Sequence, residues 1–501
     1  MKTRKAPYSI FRYVLYIILT GAMTLTCATP AAAADNNFFL RQQIDIPGTI
    51  LDSRTGDING DGKIDIITLS MEQTGARVMY TFLQREAGRF PPLPSQRVVL
   101  SPTVNLAECR DLDQNGKAEI LVIDRDGLWE YSQNGAGIAD KPTALVSQPT
   151  IFVGGIDNCL LSQKIIHTVS GKQVAFIPVV GGYSLWEYGP DKFRPLGEIS
   201  FAHRISRQER SAKLFGAHSG SAFDLIIPEI VIADENGDGR DDIYLLWPDR
   251  LMIFHQKPAG GFDSDSKLTF QFQKAADGSL CLARLIDFDH NGKLDLICSR
   301  AMGGIAGAST QIDFHTADRI ARGDITENAH VSLTDVCGNL MVGDFDGNGN
   351  IELVVPAIEL GIMSTVKKMI SKETDFYLLI YPIDALGKVG KEPAARRKMT
   401  CQLDFEKTSP AGAIRFDWSG DFDGDGLADL LLADGGGQLM FFRGSKTEFV
   451  ESKAGLVLDL AAPDIMHTVD LNLDGHADMI IIHTPGDVTS RMTLLVTNRI
   501  S

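Results

Sequence analysis

Seven copies of one nine-residue pattern, Asp-x-Asx-x-Asx-Gly-x-x-acid, recur along the 501-residue chain, and each leads directly into an apolar run. They begin at Asp57, Asp111, Asp234, Asp287, Asp344, Asp421 and Asp470. A unit of this length cannot bury its own hydrophobic face, so the repeats must pack against one another as an array. The same pattern is also a statement about metal chemistry.

Oxygen donors fall at every second position, which lets a short loop wrap one cation. Position 1 is always Asp. Position 3 is Asn59, Asp113, Asn236, Asp289, Asp346, Asp423 or Asn472, and position 5 is Asp61, Asn115, Asp238, Asn291, Asn348, Asp425 or Asp474. Position 9 is always acidic: Asp65, Glu119, Asp242, Asp295, Glu352, Asp429 and Asp478. Calcium takes six to eight oxygens in irregular geometry, so the donor set predicts up to seven Ca²⁺ ions, with position 9 closing each shell. Position 7 is expected to offer its backbone carbonyl, because its side chain varies freely: Lys63, Lys117, Arg240, Lys293, Asn350, Leu427 and His476. The invariant Gly at position 6 permits a positive φ. Magnesium prefers a rigid octahedron with retained water, and no loop pairs Cys with His at zinc spacing.

These loops are not EF-hands. Position 12 is Thr68 in the first and Val122 in the second, where an EF-hand needs Glu. The exits are strand-like, as in Asp65-Ile-Ile-Thr-Leu69 and Asp478-Met-Ile-Ile-Ile482, and continuous apolar runs of this length suit strands buried on both faces. Loop starts are separated by 54, 123, 53, 57, 77 and 49 residues, so the long gap predicts one degenerate unit, placed between Cys159 and Ile199. Its strands are expected at Val174–Val180 and Tyr183–Tyr188 without an acidic loop. Eight units of strand, loop and three further strands predict an all-β propeller of four-stranded blades, with seven blades as the alternative. The segment Phe38–Ile44 is expected to supply the fourth strand of the last blade and close the ring.

On these motifs the chain resembles the FG-GAP and VCBS-type repeats of integrin α-chain propellers and of many exported bacterial proteins. The resemblance covers nearly all of 38–501 and implies a calcium-binding propeller. The Phe-Gly and Gly-Ala-Pro signatures are mostly replaced, with Leu246-Trp247-Pro248 and Val355-Pro356-Ala357 where the second would fall. No integrin ligand therefore transfers.

Residues 1–34 read as a secretory signal peptide: a basic start at Lys2, Arg4 and Lys5, an apolar stretch from Tyr13 to Leu25, and a small-residue site at Ala31–Ala34. The domain expected after it is 35–501. Its loss would remove four cations and no acid, taking the formal charge from −16 to −20. An acidic exported chain is a poor general binder of nucleic acid, and no transmembrane span is expected in the mature chain. The location expected is periplasmic, outer-surface or extracellular. Of the six cysteines left, Cys281 and Cys298 flank one loop as the candidate disulfide, with buried thiols as the alternative.

In a four-stranded blade the 1–2 and 3–4 loops lie on one face of the ring, the 2–3 and 4–1 loops on the other. The insertions Phe201–Phe223, Ala301–Thr310 and Glu359–Asp375 all fall on the face opposite the acidic loops. The first carries His203, Arg204, Arg207, Arg210 and His218, a basic patch suited to an anionic ligand such as a uronate glycan, or simply a solvated loop. The reading that follows is a protein- or glycan-binding module of the cell envelope. The alternatives are a calcium-dependent polysaccharide lyase resembling the eight-bladed rhamnogalacturonan lyases, and a structural subunit of a surface assembly. No hydrolase elbow, zinc-protease or phosphate-loop motif occurs, so no catalytic residue is assigned.

Overall fold

The computed structural model describes residues 38–134, 137–152, 161–190, 192–210, 220–273, 281–302, 309–324, 326–334, 336–337, 340–358, 373–384, 386–402, 419–433, 438–460, 463–484 and 489–498. Residues 1–37, which include the expected signal peptide, His218, 303–308 and 359–372 of the second and third insertions, and Cys159 lie outside them. No described helix is long and apolar enough to cross a membrane.

Eight antiparallel sheets form the eight blades of a β-propeller. Blade 1 runs Thr49–Gly56, Asp65–Met71, Arg77–Phe82, Gln96–Val99. Blade 2 runs Leu106–Arg110, Glu119–Asp124, Gly127–Tyr131, Thr143–Ser147. Blade 3 is the unit without the motif: Ile166–Val169, Lys172–Val179, Gly182–Gly189, Lys192–Ser200. Blade 4 is Glu229–Ala233, Asp242–Leu246, Arg250–Phe254, Leu268–Gln271, and blade 5 is Leu282–Ile286, Asp295–Met302, Ser309–His315, Ala329–Leu333. In blade 6 the first strand is split into Val336–Cys337 and Met341–Gly343, followed by Glu352–Ile358, Glu373–Pro382 and Ala395–Gln402. Blade 7 is Ser419–Gly420, Asp429–Ala433, Gln438–Phe442, Leu456–Asp459.

Blade 8 takes three strands from the end of the chain, Ile465–Val469, Asp478–His483 and Thr489–Thr497, and its fourth from the beginning, Phe39–Pro47. The register is unbroken from Phe39 opposite Thr497 to Pro47 opposite Thr489. Gly48, at φ +83°, turns the chain from this strand into blade 1, where a Cβ would sit 2.2 Å from the Met71 carbonyl. The buried Ser490 hydroxyl accepts the Ile50 N–H and donates to the Gly48 carbonyl, pinning the junction.

Burial follows position in the blade. Middle strands are covered on both sides, as in Arg77–Phe82, which is buried at every residue. The outer strand of blade 3, Lys192–Ser200, is mostly solvent-facing. The core is accordingly distributed between blades. Ile66, Val78 and Phe82 of blade 1 pack against Ile480, Met492 and Leu494 of blade 8, with Ile44 and Ile46 of the closing strand in the same cluster. Similar clusters fill the other interfaces, such as Ile243 and Leu245 of blade 4 against Phe176 and Leu185 of blade 3. Cys281 and Cys298 are free thiols buried together between blades 4 and 5, rather than a disulfide.

Closure by the N-terminal strand makes a direct demand on Ile44, which is 1% exposed. Ile44→Ala is expected to cost about 2–5 kcal/mol, read as a lowered urea midpoint at unchanged slope.

Candidate metal loops and channel cavities

All seven acidic loops connect the first and second strands of their blades and so lie on one face of the ring. Within each, the position-1 carboxylate organises the turn by accepting backbone N–H groups. Asp57 accepts Gly60 and Asp61 on Oδ1 and Gly62 on Oδ2, while Asn59 Oδ1 accepts the Asp61 N–H. The same bonds recur from Asp234, Asp344 and Asp421. Position 6 has φ between 79° and 88° throughout, as its glycine demands. Position 4 is also left-handed, and there the residue is Gly60, Gln114, Gly237, His290, Gly347, Gly424 or Leu473. The sequence reading passed over this second turn residue, although glycine at four of the seven positions was its signal.

The position-9 carboxylate has a structural role the spacing does not reveal. In Asp65 one oxygen accepts the Ile58 N–H of the loop and the other accepts Gln84 at the end of the third strand. Asp242, Asp295, Asp429 and Asp478 repeat this pair with Glu235 and Gln256, Phe288 and Ala317, Phe422 and Gly444, Leu471 and Thr497. All five aspartates are 0% exposed. Burial pushes these carboxyls up, to about 6 at Asp65 and about 7 at Asp295 and Asp429. Glu352 is longer: its Oε2 accepts the Phe345 N–H, but its Oε1 is buried with no partner, beside Asp344 and Asp346. That orphaned oxygen in an acidic cluster fits a cation.

Four loops bring carboxylates within 4.8 Å of one another: Asp111, Asp113 and Glu119; Asp287, Asp289 and Asp295; Asp344, Asp346 and Glu352; Asp421, Asp423 and Asp425. These clusters could hold metal ions. In blades 1 and 4 position 7 meets position 5 instead, Lys63 with Asp61 at 2.8 Å and Arg240 with Asp238. In blade 8 Asn472 donates to Asp474. Position 7 has a second use: Lys117, Leu427 and His476 lie over the position-4 glycines Gly60, Gly347 and Gly424 of the preceding blade. The Ala118, Ala428 and Ala477 N–H groups donate to the position-1 carbonyls there, so successive loops are chained around the face. Blade 3 has only a turn at Ser170-Gly171, with φ of 48° and 77°. Asp241 of blade 4 accepts the Ser170 N–H and donates its own N–H to the Ser170 hydroxyl, continuing the chain.

On the opposite face the first insertion is a hairpin, Arg204–Arg210 paired with Gly220–Ile226. In its register Arg204 is opposite Ile226, Arg207 opposite Phe223 and Arg210 opposite Gly220. His203 precedes the hairpin and is built into the blade, its Nε2 against the Val179 and Gly182 carbonyls and its ring against Phe201. Burial lowers its pKa.

Two joined cavities lie along the inner strands: the first adjoins the hairpin at Ile226 on this face, and the second runs along the first strands of blades 1, 2 and 8 to Thr55, Arg110 and Val469, next to the acidic loops. One, about 810 Å³, is lined by Lys164, Glu229, Trp247 and Arg284; a second, about 340 Å³, by Arg54, Glu108, Arg110 and His467. Both include Ser162, Gln163 and Lys164. The acids at the second are already engaged. Glu108 accepts the Ile165 and Ile166 N–H groups. Asp52 lies behind it between His467 at 2.7 Å and Arg54 at 2.6 Å, bridging blades 1 and 8. Sequence reasoning did not find these residues, since they come from separate first strands and the connections before them.

Residues 421–481, the loop of blade 7 through the second strand of blade 8, match the family described as FG-GAP-like repeat. No curated protein matches the chain. Among solved structures, the exotype rhamnogalacturonan lyase YesX is similar over 95% of this chain and 76% of that one, at 13% identity and a TM-score of 0.44. The V. cholerae biofilm matrix protein Bap1 is similar over 95% and 91%, at 11% identity and a TM-score of 0.36. An Agrocybe aegerita lectin described as recognising non-reducing terminal N-acetylglucosamine is similar over 72% and 80%, at 14% identity and a TM-score of 0.34. At these values the likenesses say nothing about what this chain binds.

Burial by itself would raise the Asp52 carboxyl, but the His467 hydrogen bond and the Arg54 charge outweigh it and hold the pKa at about 2. A carboxyl depressed on folding stabilises above its unfolded pKa near 4 and loses that contribution as pH falls through 2. Asp52→Asn is therefore expected to destabilise at pH 7 by about 2 kcal/mol, with the gap from wild type closing between pH 4 and pH 2 in denaturant titrations.

Proposed function

We propose that the chain is an exported, calcium-stabilised β-propeller that binds an anionic glycan or protein segment in the joined cavities along its inner strands, as a module of the cell envelope. The observation that carries this reading is the pair of cavities joined at Ser162–Lys164. They carry Arg110, Lys164 and Arg284 in a chain whose formal charge is −16, while the Arg54 guanidinium is spent on Asp52 and on the Ala107 and Leu161 carbonyls. Asp52 and Glu108 are spent on internal hydrogen bonds, which leaves Glu229 as the exposed acid lining the larger cavity. Cations in a concave, partly desolvated site favour carboxylate groups, and arginine pairs with them in bidentate fashion. Trp247 is 1% exposed, so it offers no open aromatic platform for a neutral sugar face.

Calcium would be held by positions 1, 3, 5 and 9 and the position-7 carbonyl, where it would neutralise carboxylates that the fold buries together. Its role there is to stiffen the loop ring, next to which the smaller cavity runs. Residues 1–34 are proposed as the export signal.

Two experiments test this reading. Calcium bound only by the folded state stabilises it by mass action, about 2.7 kcal/mol per site at a hundredfold excess over Kd. Chelation is expected to lower the calorimetric Tm by roughly ten degrees or more, with calcium but not magnesium restoring it; an unmoved Tm would overturn the calcium assignment. Immobilised polygalacturonate is expected to retain the wild type at low salt and to lose the Lys164→Ala/Arg284→Ala double variant, while neutral glucan retains neither. Equal retention of both proteins would remove the cavity from the reading.

A further inference from the structure

Blade 4 departs from its own repeat at two core positions. Position 2 is Ile58, Leu112, Phe288, Phe345, Phe422 or Leu471 in the other six acidic loops, each no more than 4% exposed. These side chains anchor a loop into the interface with the next blade, as Phe288 does between blades 5 and 6. In blade 4 the residue is Glu235, and it is 6% exposed, so a carboxylate sits where the repeat places an apolar anchor. Position 11 is Ile67, Leu121, Ile297, Val354, Leu431 or Ile480 elsewhere, and Tyr244 in blade 4. Two polar groups thus enter the same interface at once.

They do not enter at random. Glu235, Asp242 and His255 present one donor atom each within 4.8 Å of one another, and His255 Nε2 lies 2.8 Å from Glu235 Oε2. The Tyr244 hydroxyl is buried with no hydrogen-bond partner, on a side chain 1% exposed. Burial first, and then the charges of Glu235 and Asp242, push its phenol far up. An unpartnered buried hydroxyl close to the Glu235 and Asp242 carboxylates is a costly arrangement unless something completes it.

We propose that Glu235, Asp242 and His255 form a separate binding site for a divalent transition-metal ion of the zinc class, next to the unpartnered Tyr244 hydroxyl. Hard ions such as calcium select all-oxygen shells, whereas an imidazole nitrogen with carboxylates suits first-row transition metals. Without the ion, a proton joins His255 to Glu235; the ion takes that proton's place. Asp242 belongs to the acidic loop as well, so this ion would tie that loop to the end of the third strand. The assignment does not depend on which ion fills the other loops.

The test uses the full chain with calcium in excess and zinc alone as the titrant, read by calorimetry and by metal analysis after equilibrium dialysis. Wild type is expected to retain one zinc that Glu235→Gln and His255→Gln each weaken at least tenfold. Glu235→Phe restores the side chain found in three other loops, and is expected to fold with its calcium response intact while losing that zinc. Absence of zinc from the wild type, or the same zinc content in Glu235→Phe and His255→Gln as in wild type, would overturn the site.

Discussion

The fold depends on a buried carboxylate at the start of the second strand in six of its eight blades. In blade 1 Asp65 ties its own loop to the end of the third strand, and four other blades repeat the arrangement with an aspartate that is 0% exposed. A carboxylate accepting two backbone N–H groups satisfies donors that a sharp turn and a strand end would otherwise leave unpaired inside the protein. Its cost is electrostatic, because positions 1, 3 and 5 set more acid beside it. Burial and those neighbours push Glu352 up to about 7. A cation in the loop would answer that repulsion, and the orphaned Glu352 Oε1 is where the need is most visible.

The same loops connect the blades. Backbone bonds from Ala118 to Asp57, Ala428 to Asp344 and Ala477 to Asp421 carry the ring from one unit to the next. Where blade 3 lacks the loop, Asp241 and Ser170 supply equivalent bonds from side chains. These bonds tie several of the acidic loops to their neighbours on one face, while the hairpin strands Arg204–Arg210 and Gly220–Ile226 and the larger cavity lie on the other.

Much of this was legible in local residues. The 123-residue gap announced a unit without an acidic loop, and Ile166–Ser200 is that blade. Phe38–Ile44 read as a missing fourth strand because the last unit stops one strand short, and Phe39–Pro47 fills the place. Other features were not legible. The glycine at position 4 serves both a left-handed turn and the side chain of the next blade, and only the first is local. The basic residues after Phe201 were legible as a cluster in sequence, but only the structure set Arg204–Arg210 in a hairpin with Gly220–Ile226.

The repeat by itself determined the architecture: its spacing, its apolar exits and its open final unit admit few solutions other than a closed ring of blades. It also determined which residues are available for a cation, since oxygen donors at alternate positions are a property of the loop alone. Only the tertiary structure decided how those donors are used. Both Asp65 oxygens are committed to N–H groups, while Glu352 keeps one free, because reach across the third strand depends on packing. It alone brought Lys164 to both Arg110 and Arg284 through two joined cavities, and Glu235, Tyr244 and His255 to one interface. Contacts between blades join residues tens to hundreds of positions apart, and no local periodicity records them.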